Sequence, residues 1–305
     1  MKPAPEAQLP GIVAVFVAAV LWGTTGTAAT FAPQVSAVAI GAVAMGVGGL
    51  MQALLAAGQI HQNVARLRVQ WKYLVMGAIA VAIYPLVFYA SMRLAGVTIG
   101  TVVSIGSAPL LSALIEYYLD GLRLTRRWML GAALGLAGVM LLSLAEGSGH
   151  LGPDSNPHVL PGVLLGLVAG LTYALYSWTA RRLMQRNIAP RAAMGATFGL
   201  GGIILIPVLL ATGAPLLASW SNVSVGLYMA LVPMFLGYLC YGHGLARIPA
   251  STATTITLSE PVVAACLAVV VVGEQLPATG WLGIALILTC LVCISLPVKA
   301  IPRAC

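Results

Sequence analysis

Residues 255–263 read TITLSEPVV, and 152 positions earlier (261 − 109) residues 103–111 read VSIGSAPLL. Ser107 stands over Ser259 and Pro109 over Pro261. The register holds without a gap from Tyr89 to Leu144. Tyr89 meets Tyr241, Gly121 meets Gly273, and Leu130, Gly131, Ala133, Leu134 and Leu136 meet Leu282, Gly283, Ala285, Leu286 and Leu288, with Ser143-Leu144 over Ser295-Leu296. Leucine coincidences alone are noise in an apolar chain; a repeated Ser-x-Pro and aligned glycines at one offset are not. Further upstream, Trp22-Gly-Thr-Thr-Gly falls on Tyr173-Ala-Leu-Tyr-Ser at nearly the same offset. The sequence therefore predicts two repeats, 1–150 and 151–305.

The medium in which the repeats fold follows from composition. Of 305 residues, 60% are hydrophobic and 7% charged, with a mean hydropathy of +0.99. Soluble domains carry roughly 25% charged residues, so this chain lacks the ionisable surface to dissolve as a globule. Apolar runs between charges and Pro or Gly breaks predict ten all-α spans, at 11–30, 36–58, 73–94, 98–119, 128–145, 160–180, 192–212, 223–245, 250–273 and 279–298. Nothing is left over for a soluble domain, and no small-residue cleavage site follows the first apolar stretch, so that span is expected to be retained.

With a cytoplasmic amino terminus, the cytoplasmic ends hold Lys2, then Arg66, Arg68 and Lys72, then Arg123, Arg126 and Arg127. Arg181, Arg182, Arg186 and Arg191 follow, then Arg247, then Lys299 and Arg303. Only Arg93 falls outside, and the opposite loops carry Glu146, Asp154 and Glu274. This segregation predicts ten spans with both termini cytoplasmic. It also accounts for the net charge of +8 without nucleic acid, because the basic residues are scattered over short segments with no interleaved aromatics. Cys290 and Cys293 resemble a CxxC pair, but inside an apolar helix they read as small packing residues. The expected partners are the lipid bilayer and a small-molecule substrate, with no cofactor and no metal, and the expected unit is a monomer. Five helices per repeat is an odd number, so the second repeat enters the membrane from the opposite side. Inverted repeats are a common construction of secondary transporters, with the substrate site between them near the midplane.

Glu260 is the one carboxylate near the middle of a predicted span. Burying such a charge costs at least about 2.5 to 3.5 kcal/mol on insertion scales. It is expected to face a cavity, either binding an amino or cationic group or carrying a proton. Glu116 lies nearer the cytoplasmic end and is expected to pair with Arg123 or meet the interface. Pro109 and Pro261 interrupt helices four and nine and are candidate gates. Ser107 and Ser259, with Ser104, Thr101, Thr254, Thr255 and Thr257, either bind a polar substrate or bond the carbonyl of the preceding turn. Trp22, Tyr84, Tyr173 and Tyr176 are expected to wall a cavity, with Thr25, Tyr89 and Tyr241 as further substrate contacts. Tyr117, Tyr118 and Trp128 read as an interfacial belt. His243 reads as a gate or relay, or equally as a packing histidine. The glycines, Gly41 among them, are read as close-packing positions.

Leu21-Trp22-Gly23-Thr24-Thr25, the helix-four Pro109, Ser259-Glu260-Pro261-Val262, Gly273-Glu274, and Gly283 after Trp281 together resemble the drug/metabolite transporter superfamily in its ten-helix EamA-type branch. The resemblance spans nearly the whole chain. It implies a bacterial inner-membrane exporter of amino acids or related metabolites, similar to the YddG-type aromatic amino acid exporter, with alternating access around a cavity lined by helices one, three, four, six, eight and nine. Asp120-Gly121-Leu122 departs from the pattern, standing where the branch often carries a glutamate like Glu274. The competing expectation is an intramembrane enzyme acting on a lipid-linked substrate. It finds no converging acid, base or phosphate-binding groups in the sequence.

Overall fold

The computed structural model describes residues 5–147, 159–272 and 275–295. Expectations resting on Lys2, Asp154, Gly273, Glu274, Leu296, Lys299, Arg303 and Cys305, and on the Glu146 side chain, lie outside the described residues. Among the described residues the chain is all helical. Nine helices are long and apolar enough to cross a membrane: α1 (Gln8–Ala29), α2 (Ala37–Leu55), α3 (Trp71–Ala95), α4 (Ile99–Asp120), α5 (Arg126–Ala145), α6 (Val159–Gln185), α7 (Pro190–Thr212), α8 (Trp220–Leu245) and α9 (Ala250–Val271). A tenth, α10 (Ala278–Ser295), is shorter and equally apolar. Two short helices, Ala57–Gln62 and Val64–Val69, join α2 to α3. Every predicted span corresponds to one of these helices.

Small residues set how the helices cross. A methyl on Gly202 of α7 would stand 2.7 Å from the Gly46 carbonyl of α2, and one on Gly195 2.9 Å from the Gln52 carbonyl. Near Gly46 the partner is Gly202, and near Gln52 it is Gly195, so α2 and α7 run antiparallel. Helices α5 and α10 do the same, because Gly138 and Gly283 would each place a methyl 2.7 Å from the other's carbonyl. The contact set maps onto itself under the 152-residue shift. Gly131 lies beside Cys290 and Gly138 beside Gly283, and adding or subtracting 152 turns one pair into the other. Cys290, buried against Gly135, packs as the sequence implies. Helix pairings follow the same rule: α3–α6 recurs as α8–α1, α4–α6 as α9–α1, and α3–α7 as α8–α2.

One end of the bundle collects the basic residues. There Arg66 donates to the Asn187 carbonyl at 2.7 Å, Arg247 to the His243 carbonyl at 2.8 Å and Arg182 to Asp120 at 2.8 Å. Three spans depart from regular α-helix at mid-depth. Helix α1 breaks at Thr24, α8 widens to π-helix over Ala230–Leu236, and α9 tightens to a 3-10 turn over Thr257–Ser259. The breaks of α1 and α9 touch, since a methyl on Gly23 would lie 2.8 Å from the Glu260 carbonyl.

Candidate functional site

Between the two sets of five helices lies a cavity of about 70 Å³, lined by side chains of α1, α2, α3, α6, α8 and α9. Its walls are aromatic. Trp22 packs on Tyr238 with ring centroids 4.7 Å apart, Tyr173 on Tyr176 at 5.2 Å, and Tyr84 on Phe88 at 5.6 Å. Tyr84 also meets Tyr173 at 5.7 Å and Tyr176 at 5.9 Å, closing the ring of side chains. Met45, Met229 and Met234 complete the lining. Their unbranched thioethers can repack as the volume changes. At about 70 Å³ the cavity is small, with space for a few waters.

The hydroxyls divide into two groups. Tyr176 and Tyr238 bond each other at 2.8 Å, Tyr173 donates to Thr257 at 2.8 Å, and Tyr241 bonds Ser177 at 2.9 Å. These bonds tie α6 to α8 and α9 beneath the cavity. Tyr84, Tyr89 and Glu260 also line the space, yet none makes a side-chain hydrogen bond to the described residues. The α8 bulge exposes carbonyls that side chains then satisfy: Trp22 Nε1 donates to Pro233 at 2.8 Å and Gln52 Nε2 to Met234 at 3.3 Å. A π-bulge leaves such groups out of the regular ladder, and it often marks a functional site. Gly237 is required there, because a methyl would stand 2.6 Å from Trp22 Nε1.

Below the cavity, at the basic end, the turn from α8 to α9 is held from both sides. Glu116 of α4, 2% exposed, accepts the backbone N–H groups of Ala250 at 2.7 Å and Ser251 at 3.1 Å, and the Ser251 hydroxyl. Arg181 of α6 donates to the carbonyls of Leu245 and Ile248. An anion thus sits at the start of α9 and a cation at the end of α8, each matching the partial charge of its helix end. Beside them Asp120 accepts from Trp178 Nε1 at 2.8 Å and from Arg182 at 2.8 Å, the one ion pair among the described residues. Gly121 makes that placement possible. It takes φ 65° after Asp120, so that Leu122 N–H returns to the Glu116 carbonyl at 3.1 Å.

The EamA-like transporter family model matches residues 9–144 and again 160–296. The chain belongs to the EamA-like transporter family. It is 32% identical over 283 residues to the uncharacterized transporter YwfM of Bacillus subtilis, covering 92% of each chain. It is 25% identical over 281 residues to a probable terminal-alkyne amino-acid exporter of Streptantibioticus cattleyicolor, covering 87% of this chain and 90% of that one. Over 149 residues it is 30% identical to the threonine/homoserine exporter RhtA of Salmonella typhimurium, covering 49% of this chain and 47% of RhtA. A protein crystal structure 22% identical in sequence superposes with a TM-score of 0.74 over 95% of this chain and 96% of that one, a likeness of fold. This EamA-like chain, with the two family repeats that its sequence periodicity implied, is a multi-pass protein of the bacterial inner membrane.

Of the residues singled out in the sequence, the fold brings Trp22, Thr25, Tyr84, Tyr89, Tyr173, Tyr176 and Glu260 to one cavity. Tyr241 lies a layer behind, its ring 5.2 Å from Trp22. Ser107 and Ser259 are also outside the lining. Ser259 donates to the Ile256 carbonyl at 2.8 Å and Ser107 to the Ser104 carbonyl at 3.5 Å, while Thr254 and Thr255 bond the preceding turn in the same way. Among the described residues, Ser107, Ser259, Thr254 and Thr255 make these local bonds, whereas the buried Ser104 hydroxyl has no partner. Pro109 and Pro261 are unequal: α-helix runs through Pro109, whereas Pro261 follows the 3-10 turn.

Three expectations are corrected. Glu116 caps α9 instead of pairing with Arg123, because two free amides and a hydroxyl lie within its reach. Helix α4 does not line this cavity and α2 does, through Ile40, Gly41, Ala44 and Met45. Gly170 brings α6 against Ser107 and the Ser104 carbonyl of α4, while Gly41 lets Tyr89 rest on the α2 backbone. Gly41 is therefore more than a packing position, since a methyl there would stand 2.6 Å from the Tyr89 ring. Its signal in the sequence was hidden among the other small residues of α2. His243 is exposed at the basic end, away from the cavity.

Proposed function

We propose that this EamA-like protein exports amino acids or related small metabolites by alternating access. In this reading its two five-helix repeats are inverted, and both termini are cytoplasmic. The observation that carries the reading is Glu260: a mid-span carboxylate facing an aromatic cavity between the repeats, with no partner for its charge among the described residues. A buried charge without a partner is costly, so a cation or proton from the cargo supplies what the protein withholds. Transport, not catalysis, is also the activity named for the family and its relatives.

Inversion is supported by the odd number of spans per repeat and by the antiparallel, self-mapping contact of α5 with α10. The gathering of basic residues at one end supports the orientation. Pro261, beside the 3-10 turn where α9 meets the break of α1, and Pro109 at the matching place in α4 are the flexing points.

The test is counterflow in proteoliposomes loaded with a mixed amino acid pool, with labelled amino acids offered one at a time. Saturable exchange that is lost in Glu260→Gln, while the variant stays folded and monodisperse, is the expected result. Wild-type rates and substrate range in that variant would remove Glu260 from the mechanism.

A further inference from the structure

The cavity offers fixed charge of one sign. Among the described residues, Glu260 is its only ionisable group apart from the phenols, and no Arg, Lys or His lines it. The nearby basic side chains are committed elsewhere: Arg181 to the carbonyls of Leu245 and Ile248, and Arg182 to Asp120. Arg93, one turn past Tyr89 on α3, is exposed and outside the lining. The walls point the same way. Seven aromatic rings surround the space, and ring faces attract cations and repel anions.

A zwitterionic amino acid brings a carboxylate as well as an ammonium. Broken-helix transporters commonly receive such a carboxylate on the N-terminus of a half-helix, where free amides and the dipole favour an anion. Here that position is already taken. The half-helix beginning after the 3-10 turn of α9 starts with Glu260 itself, and Pro261 removes the next amide. What remains for an anion is the free phenols Tyr84 and Tyr89 and the one undonated hydroxyl proton of the Tyr176–Tyr238 pair, all neutral donors and too little to replace the water around a carboxylate.

We infer that the cargo this site selects is an organic cation with no carboxylate of its own: a primary amine or an N-alkylated ammonium carrying an apolar or aromatic group. The ammonium meets Glu260, N-alkyl groups and the apolar body meet the rings, and the hydroxyls of Tyr84 and Tyr89 serve any neutral polar substituent. This rests on the reading of the cavity as the transport site, and among the amino acids and related metabolites of that reading it ranks carboxylate-free amines above the amino acids.

Matched compounds that differ only in the carboxylate test it, with a permanently charged probe because neutral amines cross bilayers unaided. In proteoliposomes, counterflow of labelled phenethyltrimethylammonium is measured, along with its inhibition by phenethylamine against phenylalanine and by 1-amino-2-propanol against threonine. The same assay is run with labelled phenylalanine and threonine. The expected result is exchange of the quaternary cation, inhibited by each amine at concentrations at least about ten-fold lower than by its amino acid. Glu260→Gln abolishes the exchange, and Gly58→Ala, which lies outside the cavity and meets nothing within 4 Å, retains it. Exchange of the amino acids with the cations inert overturns the substrate class and leaves the transport reading standing, as does inhibition by an amino acid equal to that of its amine. Failure of both classes to exchange, by folded protein, overturns the transport reading and the inference with it.

Discussion

The carboxylate of Glu116, on α4, accepts the backbone N–H of Ala250, the first residue of α9, at 2.7 Å. A side chain from the first repeat thereby terminates a helix of the second. Buried amides left without an acceptor cost about 1–3 kcal/mol, so this contact holds the two repeats together at the basic end. In the 152-residue register Glu116 corresponds to Ala268, and Ala250 and Ser251 correspond to Thr98 and Ile99. The corresponding place in the second repeat has no carboxylate.

Glu116→Ala is therefore expected to widen the basic end. Spin labels at Arg123 and Ala246, exposed positions flanking the capped turn, should report a new population at longer separation. Glu116→Gln, which keeps one acceptor oxygen, should give a smaller shift. Ala268→Glu should favour the opposite change. An unaltered distance distribution in Glu116→Ala would show that the cap serves stability alone.

Gly283→Ala should lower the thermal stability of detergent-solubilised protein by the equivalent of about 1–3 kcal/mol. Its methyl would stand 2.7 Å from the Gly138 carbonyl and 2.8 Å from the Leu142 amide, both rigid backbone. Gly58 is the contrast. Nothing lies within 4 Å of a methyl there, and the residue sits in the short helix Ala57–Gln62, so Gly58→Ala should be neutral or stabilising by up to about 1 kcal/mol. Equal melting temperatures for the two variants would contradict the glycine-mediated crossing of α5 and α10.

Trp22→Phe keeps an aromatic wall but withdraws the donor that satisfies Pro233 in the widened turn of α8. A loss of about 1 kcal/mol in stability is expected from the hydrogen bond, with a larger proportional loss in exchange rate, because Met229, Met234 and Tyr238 of α8 line the same cavity. The two readouts are thermal unfolding and counterflow on one preparation. Stability falling without any change in exchange would confine the bulge to a structural role.

Gly41→Ala should narrow substrate choice more than it weakens the fold. The methyl meets the edge of Tyr89 at 2.6 Å, and that ring must move into a cavity of about 70 Å³. Competition in counterflow by a homologous series of increasing bulk should shift toward the smaller members. An unshifted series would mean that Tyr89 does not bound the occupied site.

The spans were legible because each is a long apolar run broken by charge or proline, and the repeat because Ser-x-Pro and glycine matches survive at one offset. Glu260, Trp22, Tyr84 and Tyr173 were legible too, since a carboxylate or a large polar aromatic in mid-membrane has few places to go. The role of Glu116 was not, because a cap depends on where another helix happens to start, and Ala250 lies far away in sequence. The wall formed by α2 was likewise hidden. Gly41 and Ala44 matter for the space they leave, and composition reads such space as packing. Ser107 and Ser259 are the opposite case: their hydroxyls are conspicuous in sequence, and in this structure each bonds the turn before it, outside the cavity lining.

The grip on the α8–α9 turn consists of one anion, Glu116, and one cation, Arg181, each bonded to neutral backbone. In the proposed alternating access, opening of that end would release one side chain of each sign from the turn. The membrane potential, worth about 2.3 kcal/mol per elementary charge at 100 mV, therefore has no net charge there to pull on. Voltage sensitivity is then assigned to Glu260 and what it binds, so the current carried per turnover reads the cargo's charge less that of any proton moved in exchange.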